Sequence, residues 1–224
     1  RDADYAAPPD AGLGDWTAVA VGTGVCTSVT DVTGTLTITA SGPDIDNGCL
    51  VYQTVSAQEA GAGAQVYGRI STITGTAAAT VKVGAIIQNS IASDSADCMV
   101  WWNDVADATR GITTEADGGV VVGGIEGNAT ALPVYVGVAF TDSTNKCELF
   151  DYATATAPAD PTADFAGVPQ PHQAYDVGMS TSFIAGFYMQ SGHASNTATV
   201  TISDYEVQDV LDLTDSNATD PDAN

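Results

Sequence analysis

The feature that most constrains the fold is an apolar alternating run that ends in a polar turn and occurs three times. The three copies are residues 81–90, 134–143 and 183–192, each with a glycine at its fourth position. Because strand side chains alternate between two faces, every copy has one wholly apolar face. The three faces are Val81, Val83, Ala85 and Ile87; Val134, Val136, Val138 and Phe140; and Phe183, Ala185, Phe187 and Met189. The repeat predicts three core strands.

Shorter alternating segments fill most of the remaining chain and are separated by turns rich in glycine, asparagine and proline. Residues 34–40, Gly-Thr-Leu-Thr-Ile-Thr-Ala, are the clearest of them. Strands at intervals of about 8 to 12 residues predict an all-β protein, a jelly-roll antiparallel β-sandwich. The predicted organisation is an arm at 1–12, one sandwich domain at 13–210 with a Pro/Ala/Asp-rich insertion at 153–182, and an acidic tail at 211–224.

The charge balance restricts the partners of this chain. It has 5 Lys and Arg against 28 Asp and Glu, a formal net charge of −23. Nucleic acid and anionic membrane surfaces are excluded as partners, because both attract basic clusters. A high negative charge keeps a protein soluble, which is one explanation of this composition, and calcium binding is the alternative explanation. No cofactor is predicted, but calcium could bind Asp44, Asp46 and Asn47, which match a fragment of a calcium loop; an Asx-rich turn is the competing interpretation.

Four cysteines, Cys26, Cys49, Cys98 and Cys147, lack the close spacing of zinc ligands or of a redox dithiol. Their even number favours two disulfides and an oxidising compartment, which places the protein outside the cell, on a cell surface or in a virion. Three connectivities are possible, and we predict the pairs nearest in sequence, Cys26–Cys49 and Cys98–Cys147. Four buried thiols in a protein assembled inside a cell are the alternative.

Several of these segments carry a family resemblance. They are Val-Tyr-Gly-Arg-Ile-Ser at 66–71, Gly-Ala-Ile-Ile-Gln-Asn-Ser at 84–90, and Ala-Gly-Phe-Tyr-Met-Gln-Ser-Gly-His at 185–193, which leads into 198–205. From residue 36 to 207 the sequence resembles the concanavalin A-like jelly-roll modules of bacterial secreted proteins, which are often appended to glycoside hydrolases. The resemblance implies a lectin- or glucanase-type sandwich. Gln88-Asn89 stands where such modules often carry Arg-Asp or Arg-Glu.

Catalytic patterns are missing from the sequence. Glucanases of that superfamily place acidic residues close together on one strand, whereas the five glutamates here are scattered singly. His172 and His193 belong to no nucleophile or metal motif. We therefore expect a protein that is not an enzyme.

Two classes of function remain. The arm, the insertion and the tail contain too few large apolar side chains to fold alone. We therefore predict a structural subunit of a virion decoration layer or of a surface filament or array. Its partners would be copies of itself or other structural proteins. The alternative is an extracellular carbohydrate-binding or adhesion module. If the three repeated strands lie side by side, their glycines leave a shallow strip where a glycan could stack on Tyr135, Tyr188 and an exposed Trp101 or Trp102. These aromatic residues could equally fill the core.

Overall fold

The computed structural model describes residues 16–44, 46–56, 63–77, 80–91, 97–103, 109–116, 120–128, 132–141, 146–152, 174–176 and 182–210. These residues form strands β1 (Thr17–Val21), β2 (Val25–Asp31), β3 (Thr35–Gly42), β4 (Gly48–Ser56), β5 (Gly63–Gly75), β6 (Lys82–Gln88), β7 (Asp97–Asn103), β8 (Thr109–Ala116), β9 (Val120–Asn128), β10 (Val134–Thr141), β11 (Lys146–Tyr152), β12 (Ala174–Asp176), β13 (Ser182–Gln190) and β14 (His193–Val210). The predicted all-β class is confirmed. The arm, the tail and most of the insertion lie outside the described residues.

The strands form two antiparallel sheets of seven strands each. The first sheet has the order β1-β4-β13-β6-β7-β8-β9, and the second has the order β12-β11-β10-β5-β14-β3-β2. The core lies between the sheets, as the alternation predicts, and the described members of the three repeated faces are all buried in it. Leu36 and Ile38 of β3 and Val200 and Ile202 of β14 complete it from the second sheet. The protein is therefore a β-sandwich.

The arrangement of the three repeated strands differs from the expectation. β6 and β13 are neighbours in the first sheet, but β10 lies in the second sheet between β11 and β5. The three apolar faces meet across the core instead of lining one sheet. Gly137 therefore does not lie beside Gly84 and Gly186, and the predicted glycine strip is wrong. A strand pattern specifies which face is buried, but it does not specify the sheet.

Two boundaries also differ. The loose alternation of Thr, Val and Ala predicts one strand region over residues 16–30, but the structure has the two strands β1 and β2 there, in different sheets. Residues 174–176, placed in the insertion, form β12 and pair with β11. Local alternation does not reveal where a chain crosses between sheets.

The disulfide Cys26–Cys49 is formed and confirms the first predicted pairing. Cys26 lies in β2 and Cys49 in β4, so the bond joins the two sheets at one end of the sandwich. Such bonds form and persist in oxidising compartments. The side chains of Cys98 and Cys147 lie outside those described, and their pairing stays a prediction. Among the described residues, no helix is long and apolar enough to cross a membrane.

Candidate ligand-binding site on one sheet face

Tyr188, a predicted ligand-binding residue, belongs to a second apolar cluster on the outer face of the first sheet. The buried members of this cluster are Val21, Leu50, Ile86, Met99, Ile184 and Tyr188. Tyr188 is only 3% exposed and lies opposite Gly84 in the register of β13 and β6. Its ring therefore cannot stack on a glycan in this arrangement.

The other predicted aromatic residues are also separated. Tyr135 lies on β10 in the opposite sheet and is 1% exposed, so its ring face is not open to a ligand. Trp101 and Trp102 lie in β7, where their backbones pair with Gly84 and Val83. Their side chains are outside the described part of the chain. The structure thus does not bring the predicted residues together as one stacking surface.

The predicted calcium residues lie in the turn before β4. The Oδ1 atom of Asp44 accepts hydrogen bonds from the Asp46 backbone N–H, at 3.2 Å, and from the Asn47 side chain. The Oδ1 atom of Asn47 accepts from the Thr23 hydroxyl at 2.9 Å. These bonds are those of an Asx-rich turn. No group of three potential metal-binding side chains occurs in the part of the chain that is described, and calcium binding stays a prediction.

A polar cluster lies on the outer face of the second sheet, where β5, β10 and β14 are adjacent. We call it the Arg69 cluster, and it comprises Tyr67, Arg69, Tyr135, Asp204 and Glu206. The Tyr135 hydroxyl donates to Asp204 Oδ2 at 3.1 Å, and Arg69 Nη1 lies 3.8 Å from the same oxygen. The Tyr67 hydroxyl donates to Glu206 Oε2. Tyr135 thus holds the Asp204 carboxylate beside the Arg69 guanidinium, and Tyr67 holds the Glu206 carboxylate.

Local backbone geometry brings these groups together. Register places Tyr135 opposite Arg69 between β10 and β5, and Glu206 opposite Tyr67 between β14 and β5. The pairing of β14 with β5 is interrupted by a bulge between Ser203 and Glu206. Asp204 sits in that bulge with a φ of 48°, a left-handed conformation that Asp tolerates better than most residues. Bulges of this kind redirect side chains and are common beside functional sites.

The cluster is partly open to solvent. The side chains of Asp204 and Arg69 are 51% and 27% exposed, whereas both tyrosine rings are buried beneath them. Among the described residues, the buried Nε atom of Arg69 has no hydrogen-bond partner. A buried donor without a partner is costly, so Arg69 is an incompletely satisfied member of the cluster.

Burial perturbs the titration of the cluster. It raises the pKa of Tyr135 to about 12, with further contributions from the hydrogen bond to Asp204 and from the charge of that residue. Burial and the charge of Asp204 raise the pKa of Tyr67. Burial also raises the pKa of Glu206. Both tyrosines therefore remain protonated donors at neutral pH.

This cluster escaped the sequence analysis because its members are far apart in the chain. In the sequence, Glu206 is one of five scattered glutamates. The aromatic pattern predicts that Tyr135 presents its ring to a ligand, whereas the structure uses its hydroxyl. The usable signal was a pair of alternating motifs, Tyr67-Gly-Arg69 and Asp204-Tyr-Glu206, each able to place two polar side chains on one strand face. Only the register between β5 and β14 shows that the two motifs meet.

Comparison with known proteins supports the fold alone. No protein-family model and no curated protein sequence matches the chain. Among solved structures, a functionally unknown protein from Saccharomyces cerevisiae aligns with a TM-score of 0.60 and 12% identity, over 89% of this chain and 99% of that one. Alginate lyase A1-II′, a member of polysaccharide lyase family 7, aligns with a TM-score of 0.51 and 11% identity, over 84% of this chain and 85% of the lyase.

A lectin is among the similar structures as well. Lectin UEA-II, solved with galactose, has a TM-score of 0.51 and 9% identity, over 88% of this chain and 93% of the lectin. These neighbours identify the two antiparallel sheets as a jelly-roll, concanavalin A-like β-sandwich. Because lyases, lectins and proteins of unknown function share this fold, it does not decide the function of the chain.

Proposed function

We propose that this protein is a non-catalytic carbohydrate-binding module of secreted type whose binding site is the Arg69 cluster. One observation carries the proposal: the partly exposed Asp204 and Arg69 lie together on an outer sheet face, where Tyr135 holds Asp204, and the Tyr67–Glu206 pair lies on the adjacent positions of the same strands. Sugars are recognised by such convergent donors and acceptors, which form paired hydrogen bonds to neighbouring hydroxyl groups. The fold, shared with a galactose-bound lectin, and the disulfide agree with this function.

The charge of the cluster favours a neutral glycan. Asp204 and Glu206 face one positive residue, Arg69, in a chain of net charge −23. A uronic acid or a sulfated sugar would have to approach both carboxylates and the negative field of the whole molecule. A neutral sugar meets no such repulsion, and its hydroxyls can donate to Asp204 while accepting from Arg69.

Binding is tested with a glycan array of neutral and acidic glycans, followed by calorimetry on any glycan that binds. The Asp204→Asn variant keeps a residue that tolerates the left-handed backbone but removes the charge. We expect it to weaken binding at least tenfold, because hydrogen bonds to an ionised group are about twice as strong as neutral ones. Asp46→Asn, which changes an exposed residue of the turn before β4, is the control with the same charge change.

Two results would contradict the proposal. One is a folded protein that binds no neutral glycan, and the other is equal affinity in the wild type and in Asp204→Asn. The non-catalytic part is tested separately by incubating the bound glycan with the protein and measuring new reducing ends. Their appearance would make the module an enzyme while leaving the binding site in place.

A structural role in a virion or a surface array remains the other prediction. It rests on the arm, the insertion and the tail, which lie largely outside the described residues. A self-association surface among the described strands would support it.

A further inference from the structure

The strand β2 forms one edge of the second sheet and pairs with β3 alone among the described strands. The other side of such a strand presents N–H and C=O groups that another strand can pair with. Proteins usually protect these edges with charged residues, prolines or bulges. β2 contains no Lys, Arg, Glu or Pro, and its one acidic residue, Asp31, is fully buried. A bulge between Cys26 and Ser28 leaves residues 28–31 in regular pairing.

Exposed apolar side chains lie at both ends of this edge. Val25 begins β2 and is 48% exposed, and Val32 follows the strand and is 58% exposed. Only Ile91 is a further exposed large apolar residue in the described part of the chain. Two such residues lie at the ends of an edge that has no exposed charge and no proline, which favours a contact surface there.

The edge is also rigid. The disulfide Cys26–Cys49 ties β2 to the opposite sheet, and the Tyr205 hydroxyl donates to buried Asp31. Two backbone hydrogen bonds between Val32 and Thr35, at 3.0 and 3.1 Å, close the hairpin to β3. A strand that is already ordered loses little further conformational entropy when it pairs, so the association is less costly.

Charge restricts where two copies of this chain can approach each other. At −23 per copy, most surfaces repel. The outer face beside β2 instead carries two uncharged rows that cross four strands in register: Ser28, Thr39, Thr199 and Thr74; and Thr30, Thr37, Thr201 and Thr72. Their members on β2, Ser28 and Thr30, lie at the edge itself and add no charge there, so an identical edge meets little local repulsion.

We propose that a second copy of this chain pairs with β2 through its own β2, antiparallel about a two-fold axis. A register that pairs Ser28 with Ser28 of the other copy keeps the outward-facing side chains of both strands on the same face. The seven-stranded sheets of both copies then form one continuous sheet. This inference does not rest on the carbohydrate site, which lies on β5, β10 and β14.

The test is sedimentation velocity on the full chain over a concentration series, at low salt and at about 1 M salt, where the Debye length is about 3 Å. We expect a monomer–dimer equilibrium that shifts toward the dimer at high salt. The Ser28→Lys variant puts two lysines directly opposite each other in the proposed pair, with their Cβ atoms about 5 Å apart. We expect it to remain monomeric.

The matched control is Thr74→Lys. Thr74 is exposed, lies in the same row as Ser28 and gives the same charge change, but it belongs to the interior strand β5. Because either lysine lowers the overall repulsion, Thr74→Lys should dimerise at least as well as the wild type. The inference is overturned by a wild type that stays monomeric at every concentration and salt, or by two variants that behave alike.

Discussion

At the residue scale, Asp204 and its partners show how one bulge makes a site. Asp204 accepts from Tyr135 and lies beside Arg69, and its left-handed backbone directs it there. The tyrosines contribute their hydroxyl groups and not their ring faces. This arrangement makes the cluster a rigid set of hydrogen-bonding groups, and it couples the ionisation of Tyr135 to the stability of the fold.

The pH dependence of stability follows from Tyr135. Its pKa in the folded protein is about 12, above the ordinary value of 10.0. The unfolded chain therefore ionises first, so this stabilisation is complete below about pH 10 and is lost as the pH rises toward 12. Between about pH 10 and 12 the Tyr135→Phe variant should lose roughly 2 kcal/mol less unfolding free energy than the wild type, since each pKa unit corresponds to about 1.4 kcal/mol.

Denaturant unfolding at several alkaline pH values measures this effect. Tyr52→Phe, at a half-buried tyrosine of the first sheet, is the comparison. Should the Tyr135 variant and the wild type lose stability in parallel, the raised pKa of Tyr135 in the folded protein would be wrong.

At the element scale, close approach of strands explains one of the repeated glycines. A Cβ atom on Gly186 of β13 would lie 2.0 Å from the backbone oxygen of Val51 in the neighbouring strand β4. Gly186→Ala must therefore push the two strands apart and should lower the unfolding free energy by about 2 to 3 kcal/mol. Thr54→Ala, at an exposed position of β4, should cost only about 0.5 kcal/mol. Equal chemical-denaturation midpoints for the two variants would refute the close approach.

At the scale of the whole molecule, the disulfide matters because it joins the two sheets. Cys26 and Cys49 are 23 residues apart in sequence, so the bond closes a loop of moderate length. In the chain-entropy model such a loop stabilises the fold by about 3 kcal/mol. The double variant Cys26→Ser with Cys49→Ser should lose about that amount in thermal or denaturant unfolding. Unchanged stability in the double variant would show that the packed core alone holds the sheets together.

Much of this architecture could be predicted from the sequence because it depends on local periodicity. Alternation along residues 34–40 and in the three repeats identified the strands and their buried faces, since side-chain direction follows directly from strand geometry. Cysteine number and spacing also predicted Cys26–Cys49. The net charge predicts that nucleic acid is not a partner, since charge depends on composition alone, and this stays a prediction.

The tertiary structure alone decided which strands are neighbours. β10 lies across the core from β6 and β13, so Tyr135 and Tyr188 do not share a surface. The Arg69 cluster and the open edge of β2 likewise depend on register and strand order. These properties arise from pairing between segments far apart in the chain, and no local pattern encodes which distant strand a given strand will meet.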